Sequence, residues 1–374
     1  MVAWRDKGEW RERLGNKVED LRERWLLAEQ APLAGGIVAV VLLLQLGLGW
    51  YWSREPDLFP VAGTTVAGNP VAGTPAAGAP VTDGAAAAAP AGTAASAPLT
   101  AAPATAPGYV LANTTARVGR TLLDKHGGYI SNDMLPPGVF LDNMPSWELG
   151  VVQQLRDMTR ALHHDMSVSR ALYVEDRDLA TAETQFNFDT NSWLFPSTES
   201  QYRRGVDAVQ AYADRLAQAD GRSAQFYPRP DYLNHWLSDV DVSLGRLSSE
   251  LNAALPENAL ALPGEGAATL PTTHTTSWTQ IDNVFYESRG SAWALIHLLK
   301  AVEIDFGPEL RQHNAQLSLR AAIHELEATQ QTVWSPVILN GSGFGLFANH
   351  SLVMANYLSR AQADLKDVRE LMLQ

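Results

Sequence analysis

Residues 281–306 read IDNVFYESRGSAWALIHLLKAVEIDF, and their spacing decides the class of fold. Phe285, Ala292, Leu295, Leu299, Val302 and Phe306 are separated by steps of three, four or seven. They therefore fall on one stripe of a helix with about 3.6 residues per turn. Thr279, with Asp282 three positions later, supplies a helix start, and Gly307-Pro308 breaks this helix and opens the next.

The same rhythm recurs on either side. Leu233, Trp236, Val240, Leu244, Leu247 and Leu251 follow Pro230 and Asp231, while Met354, Leu358, Ala361, Leu365, Val368 and Met372 carry it almost to the last residue. Two further helices are expected, from Ser146 to about Asp165 and from Thr198 to about Asp220, where Gly221 supplies the stop. No alternating run is long enough to build a sheet. The expected fold is all-α, with residues 108–374 forming a mostly antiparallel helical bundle.

The chain has 374 residues, with 28 Lys and Arg against 41 Asp and Glu, a net charge of -13. Nucleic-acid binding needs a basic face to displace counterions, so no DNA or RNA partner is expected. The absence of cysteine removes disulfides, thiolate metal sites, Fe–S clusters and Cys nucleophiles together.

Ahead of the bundle, Leu33 to Trp52 is a run of twenty residues without a charge, with Gln45 its one strongly polar side chain. That length matches a hydrocarbon core of about 30 Å, and Trp50, Tyr51 and Trp52 form an interfacial aromatic belt. Residues 33–52 are therefore expected to be a single transmembrane helix, with the lipid bilayer as partner. Seven basic residues precede it, Arg5, Lys7, Arg11, Arg13, Lys17, Arg22 and Arg24, and only Arg54 follows before Arg117. The positive-inside rule then puts residues 1–32, an amphipathic segment, in the cytoplasm. The C-terminal domain falls in the periplasm, on a bacterial inner-membrane anchor. Residues 53–107 draw 41 of their 55 positions from Ala, Gly, Pro and Thr, and repeat Val-Ala-Gly at 61, 66 and 71. Nothing there fills a core, so a disordered linker is expected.

Three irregular stretches interrupt the helices: GGYISNDMLPPGVFLDNMPSW at 127–147, FNFDTNSWLFPST at 186–198 and SPVILNGSGFGLFANHS at 335–351. Ordered loops on a rigid scaffold are where binding usually sits. Asn132, Asp133, Asp142, Asn143, Trp147, Glu148, Asp189, Trp193, Asn349 and His350 are accordingly the candidate ligand- or partner-binding residues. The competing reading is local: Asn and Asp favour turns and caps, and Trp fills core beneath a loop.

Four strings, GGYISNDMLPPGVFLDNMPSWELG, FNFDTNSWLFPSTESQY, IDNVFYESRGSAWALIHLL and FANHSLVMANYLSRA, resemble an uncharacterised proteobacterial family, domain of unknown function 2333. The resemblance covers most of residues 108–374 and implies a bacterial, membrane-anchored helical protein. It implies no activity, because the family carries no assigned catalytic or binding residues.

Motifs with chemistry are few. His163 and His164 are neighbours on an expected helix, about 100° apart around its axis, so they are not expected to chelate one ion. His324-Glu325 opens like a metalloprotease HExxH but ends on Ala328. His324 and Glu327 share a face without a matching second pair, and His297 reads as a hydrogen-bonded core residue. Gly341, Gly343 and Gly345 lack the βαβ unit of a dinucleotide site. No cofactor or metal is expected. The function read from these features is a tethered periplasmic binding or scaffolding module of the cell envelope, with an envelope protein as partner. The alternative is a periplasmic enzyme acting on an envelope polymer through loop carboxylates such as Asp142 and Glu148.

Overall fold

The computed structural model describes residues 36–61, 106–168, 174–218, 224–253, 280–331 and 350–374. Among these residues there is no strand, and the fold is all-α. The helices are α1 (residues 36–52), α2 (Tyr109–Asp124), α3 (Asn143–Ala161), α4 (Arg177–Phe186) and α5 (Thr198–Ala217). They continue with α6 (Pro230–Ala253), α7 (Ile281–Asp305), α8 (Gly307–Gln312), α9 (Gln316–Ala328) and α10 (His350–Met372). A three-residue 3-10 turn, Gly138–Phe140, precedes α3, and a π-helical turn, Leu162–Met166, extends it.

The stretch IDNVFYESRGSAWALIHLLKAVEID becomes the central helix, α7. Every residue from Ser288 to Leu299 of α7 is buried, because α3, α2, α9 and α6 all pack against it. A helix covered on every side needs apolar or small residues around its circumference, and SRGSAWALIHLL supplies them apart from Arg289 and His297, whose polar atoms are hydrogen-bonded. The α3–α7 contact is backbone on backbone. A Cβ at Gly290 would lie 2.0 Å from the Trp147 carbonyl oxygen, and one at Gly150 would lie 2.1 Å from that of Glu287. Only glycine on both helices permits that approach.

α2 is held to the end of α7 by a carboxylate. Gly108, at φ 81°, has no side chain with which to cap α2. Asp305 does so from a distance, accepting the Leu111 amide at 2.7 Å along with those of Gly108 and Val110. Burial raises its pKa from 3.8 to about 6, although the three amides pull it down.

The expected transmembrane helix is not found among the described residues. No helix among the described residues is long and apolar enough to cross a membrane. The described part of α1 has seventeen residues. Its last turn is also applied to the helical domain rather than set apart from it. The Tyr51 ring lies 4.4 Å from that of His126, and Trp52 covers Gly127. The transmembrane segment Leu33 to Trp52, the bilayer as partner and the membrane-anchored character are therefore not supported. The bitopic inner-membrane architecture, with cytoplasmic and periplasmic sides, falls with them. So does the function built on it, a tethered module or enzyme of the periplasm.

Residues 53–61, at the start of the Ala- and Pro-rich stretch, run along the domain as a strap. Glu55 pairs with Arg289, Phe59 stacks on His297 at 3.8 Å, Arg117 donates to the Pro60 carbonyl at 3.0 Å, and Val61 is buried. His297 is a hydrogen-bonded core residue. Its Nδ1 donates to the Trp293 carbonyl at 2.7 Å and its Nε2 accepts the Phe59 amide at 3.0 Å. Burial lowers its pKa to about 4. The amphipathic segment 1–32, the rest of the linker at 62–105 and most of the third loop, 335–349, lie outside the described residues.

Candidate functional site

Loop 1, residues 127–147, is built on a buried charge. Glu148, on the first turns of α3, is fully buried and pairs with Lys125 beyond the end of α2. Its carboxylate also accepts the amides of Ile130 and Ser131, both at 2.8 Å, and the Ser131 hydroxyl. A carboxylate satisfied in this way fixes the chain that enters the loop, with its acceptor sites taken up by the protein's own donors. Trp147 beside it is fully buried against Trp293, with ring centroids 5.2 Å apart. Glu148 and Trp147 thus lie in the core, and Asp142 and Glu148 do not form an exposed acid–base pair.

Asn132 joins loop 1 to loop 2. Its Nδ2 donates to the Ser192 carbonyl and to Glu199 Oε2, each at 2.9 Å, and Tyr129 adds a bond from its hydroxyl to the Thr190 carbonyl at 3.1 Å. Loop 2, residues 186–198, is closed on itself. Asp189 accepts the Asn191 amide at 3.0 Å through its side chain, and Thr198 ties back to the Asp189 carbonyl at 2.8 Å. Residues 60 or more positions apart in sequence are therefore locked at a common joint.

Beyond that joint both loops turn apolar. Loop 1 exposes Met134, Leu135, Val139 and Phe140, and loop 2 exposes Trp193, Leu194 and Phe195. Phe140 and Leu135 each present about three quarters of their surface, 77% and 76%, and Phe195 is fully exposed. The exposed residues begin two positions after Asn132 and one after Ser192. Gly49 of α1 lies next to Pro137 and Leu141, so the apolar surface of α1 adjoins loop 1. Asp142 and Asp189 are exposed at the margins, and neither side chain caps a helix. Asp133 is half-buried against Gly138, and burial together with Glu148 and Glu199 raises its pKa.

Of the sequence candidates, Asn132, Asp133, Asp142, Asp189 and Trp193 belong to these joined loops, while Trp147 and Glu148 support them from beneath. Asn143 is half-buried on the first turn of α3. His350 lies elsewhere, with its ring 6.5 Å from Phe285, and Asn349 is outside the described residues. Sequence reasoning named Trp193 and missed the other six exposed apolar residues, Met134, Leu135, Val139, Phe140, Leu194 and Phe195. Their signal is legible in retrospect: MLPPGVF and SWLFPS are uncharged, rich in bulky side chains and broken by proline, so they fit neither a helix stripe nor a solvated turn.

One group of side chains has metal-ligand spacing among the described residues: His163, His164 and Glu175, each offering one ligand atom, all within 4.8 Å of one another. His324 is exposed, and Glu327 pairs with Lys300 at 2.6 Å.

A family model described as an uncharacterized protein conserved in bacteria matches residues 25–374. No curated protein matches the chain, and no solved structure does.

Proposed function

The chain belongs to the bacterial family called domain of unknown function 2333, and from that premise we propose that it is a partner-binding protein. In this reading its two tied loops dock an apolar segment of another protein. The observation that carries it is the exposure of seven large apolar side chains on two loops that Asn132 holds together. Water-exposed apolar clusters of this kind mark interaction surfaces in folded proteins. Aromatic and long aliphatic residues of the kind found at 134–140 and 193–195 supply the buried centre of such contacts.

Charge narrows the partner. The loop tips carry no charge of their own, while Asp142 and Asp189 are exposed on the same two loops and the whole chain has a net charge of -13. The matching surface is an apolar segment flanked by Lys or Arg, which an acidic margin attracts and orients.

Site-specific photocross-linking tests the reading. A photoreactive residue is placed at Phe140 or Phe195 in the full chain, with exposed Thr181 on α4 as control. Adducts from the two loop positions, mapped to an apolar segment flanked by basic residues and abolished by Phe140→Asp with Phe195→Asp, are expected. Labelling no stronger than at Thr181, or adducts with a second copy of the chain, would overturn it.

A further inference from the structure

We propose that His163, His164 and Glu175 form a site for a divalent transition-metal ion, with Glu183 as the residue that orients the two histidines.

Neighbouring residues on an α-helix diverge by about 100°, which would keep these two imidazoles apart. At the end of α3 the chain widens into a π turn, closed by the Ser167 amide donating to the Leu162 carbonyl at 3.0 Å. Turns of this type recur at functional sites. Within it the two rings lie side by side, with centroids 4.3 Å apart. Glu183, from the middle of α4, meets both. Its Oε2 lies 2.6 Å from His163 Nδ1 and 3.0 Å from His164 Nε2.

The His163 contact sets a tautomer. A carboxylate accepts, so Nδ1 donates, and in the neutral ring the lone pair is left on Nε2. That nitrogen is buried and has no hydrogen-bond partner, and His163 is only 5% exposed. Buried polar atoms are paired as a rule, so one that is not needs an explanation. The atom it faces is Glu175 Oε2, 3.9 Å away, too far for a hydrogen bond. A zinc ion bonded to both at about 2.0–2.2 Å, with a tetrahedral angle between them, would hold them about 3.4 Å apart. Glu175 is 68% exposed on its side chain, so a movement of about half an ångström is within its freedom. An imidazole held from behind by a carboxylate is also the usual arrangement around protein-bound zinc.

The donor set selects the ion. Two imidazole nitrogens and a carboxylate suit zinc and its neighbours, whereas magnesium prefers oxygen ligands and water. A bound ion would tie the end of α3 to the residue before the Asp176 cap of α4, and so couple metal binding to stability.

The test uses the full chain without an affinity tag, titrated calorimetrically with zinc chloride and, in parallel, with magnesium chloride. One zinc per chain is expected, no magnesium, and a rise in melting temperature with zinc. His164→Ala combined with Glu175→Gln changes two exposed side chains and should abolish the site while leaving the circular dichroism spectrum unchanged. Glu183→Gln should weaken binding by about 10- to 100-fold without abolishing it. Zinc binding that persists at native strength in the double variant, or zinc and magnesium bound alike, overturns the site.

Discussion

Arg289 on α7 grips Glu55 across 234 positions of sequence: its Nε donates to both carboxylate oxygens at 2.9 and 3.0 Å, and its Nη2 to Oε2 at 2.7 Å. The same guanidinium donates through Nη1 to the carbonyls of Thr329 and Gln331 at 2.8 and 2.9 Å. One buried cation thus joins the strap, the central helix and the end of α9. Arg289→Ala leaves a largely buried carboxylate and two carbonyls without their donor, and should cost about 3–5 kcal/mol in urea denaturation. Glu55→Gln keeps the shape and one acceptor, and should cost about 1–3 kcal/mol. A loss in Arg289→Ala no larger than at a surface site would show that the strap is held by other contacts.

The strap should hold after its covalent link to α2 is cut. With a specific protease site inserted between residues 62 and 105, cleavage should leave the two pieces together in gel filtration under native conditions. Glu55, Phe59 and Val61 all anchor the N-terminal piece. Arg289→Ala combined with Phe59→Ala should release it. Separation of the unsubstituted pieces on cleavage would show that these contacts do not suffice without the chain.

Asp305 and His297 should oppose each other in acid. The folded pKa of Asp305 is raised from 3.8 to about 6, so its proton-linked stabilisation is full below 3.8 and is lost as pH rises through about 6. That of His297 is lowered from 6.5 to about 4, so its contribution is present above 6.5 and is lost as pH falls through about 4. Each displacement corresponds to about 3 kcal/mol. In denaturation profiles between pH 4 and 6.5, Asp305→Asn should therefore fall more steeply towards acid than the native chain, and His297→Gln should rise instead. Parallel profiles for all three proteins would refute both assignments.

Loop substitutions should separate binding from folding. Phe140→Ser and Phe195→Ser alter exposed side chains, and each should change stability by less than about 0.5 kcal/mol. Trp147→Ala empties a fully buried position under the same loop and should cost about 3–5 kcal/mol. Equal melting temperatures for Trp147→Ala and the native chain would contradict the packing against Trp293.

The crossing of α3 and α7 leaves no space for a methyl group. Gly150→Ala or Gly290→Ala would drive Cβ into a carbonyl oxygen of the facing helix, which cannot rotate away as a side chain can. Overpacking normally costs about 1–3 kcal/mol, and here the loss should be at or above the top of that range. A change below about 1 kcal/mol at both glycines would mean that the helices part more easily than their packing implies.

What the amino-acid order determined by itself is everything that depends on near neighbours. The three- and four-residue steps of Leu233 to Leu251, Phe285 to Phe306 and Met354 to Met372 became buried faces of α6, α7 and α10, because helical spacing is a local property. Gly307-Pro308 separated α7 from α8 for the same reason. His297, among apolar neighbours, was legible as a core residue. The bounds of α2 and α4 were not read from the sequence, although Leu111, Val118 and Leu122 of α2 and Leu179, Ala182 and Phe186 of α4 are buried at the same helical spacing.

Only the tertiary structure decided the features that join distant segments. Glu55 and Phe59 lie at the head of a composition that reads as linker, and nothing near them in sequence announces Arg289 or His297. Glu148 looked like a candidate ligand until Lys125 and the amides of Ile130 and Ser131 closed around it. His163 and His164 diverge on an ideal α-helix, and a π turn together with Glu183 brought their rings together. The twenty uncharged residues from Leu33 to Trp52 met the length criterion for a membrane span, yet hydropathy counts residues and contains no term for what the end of a helix touches. Tyr51 and Trp52 lie at the entry to loop 1 because His126 and Gly127 are there to receive them. Such contacts are set by chain segments meeting in space, and a local pattern holds no record of its partner.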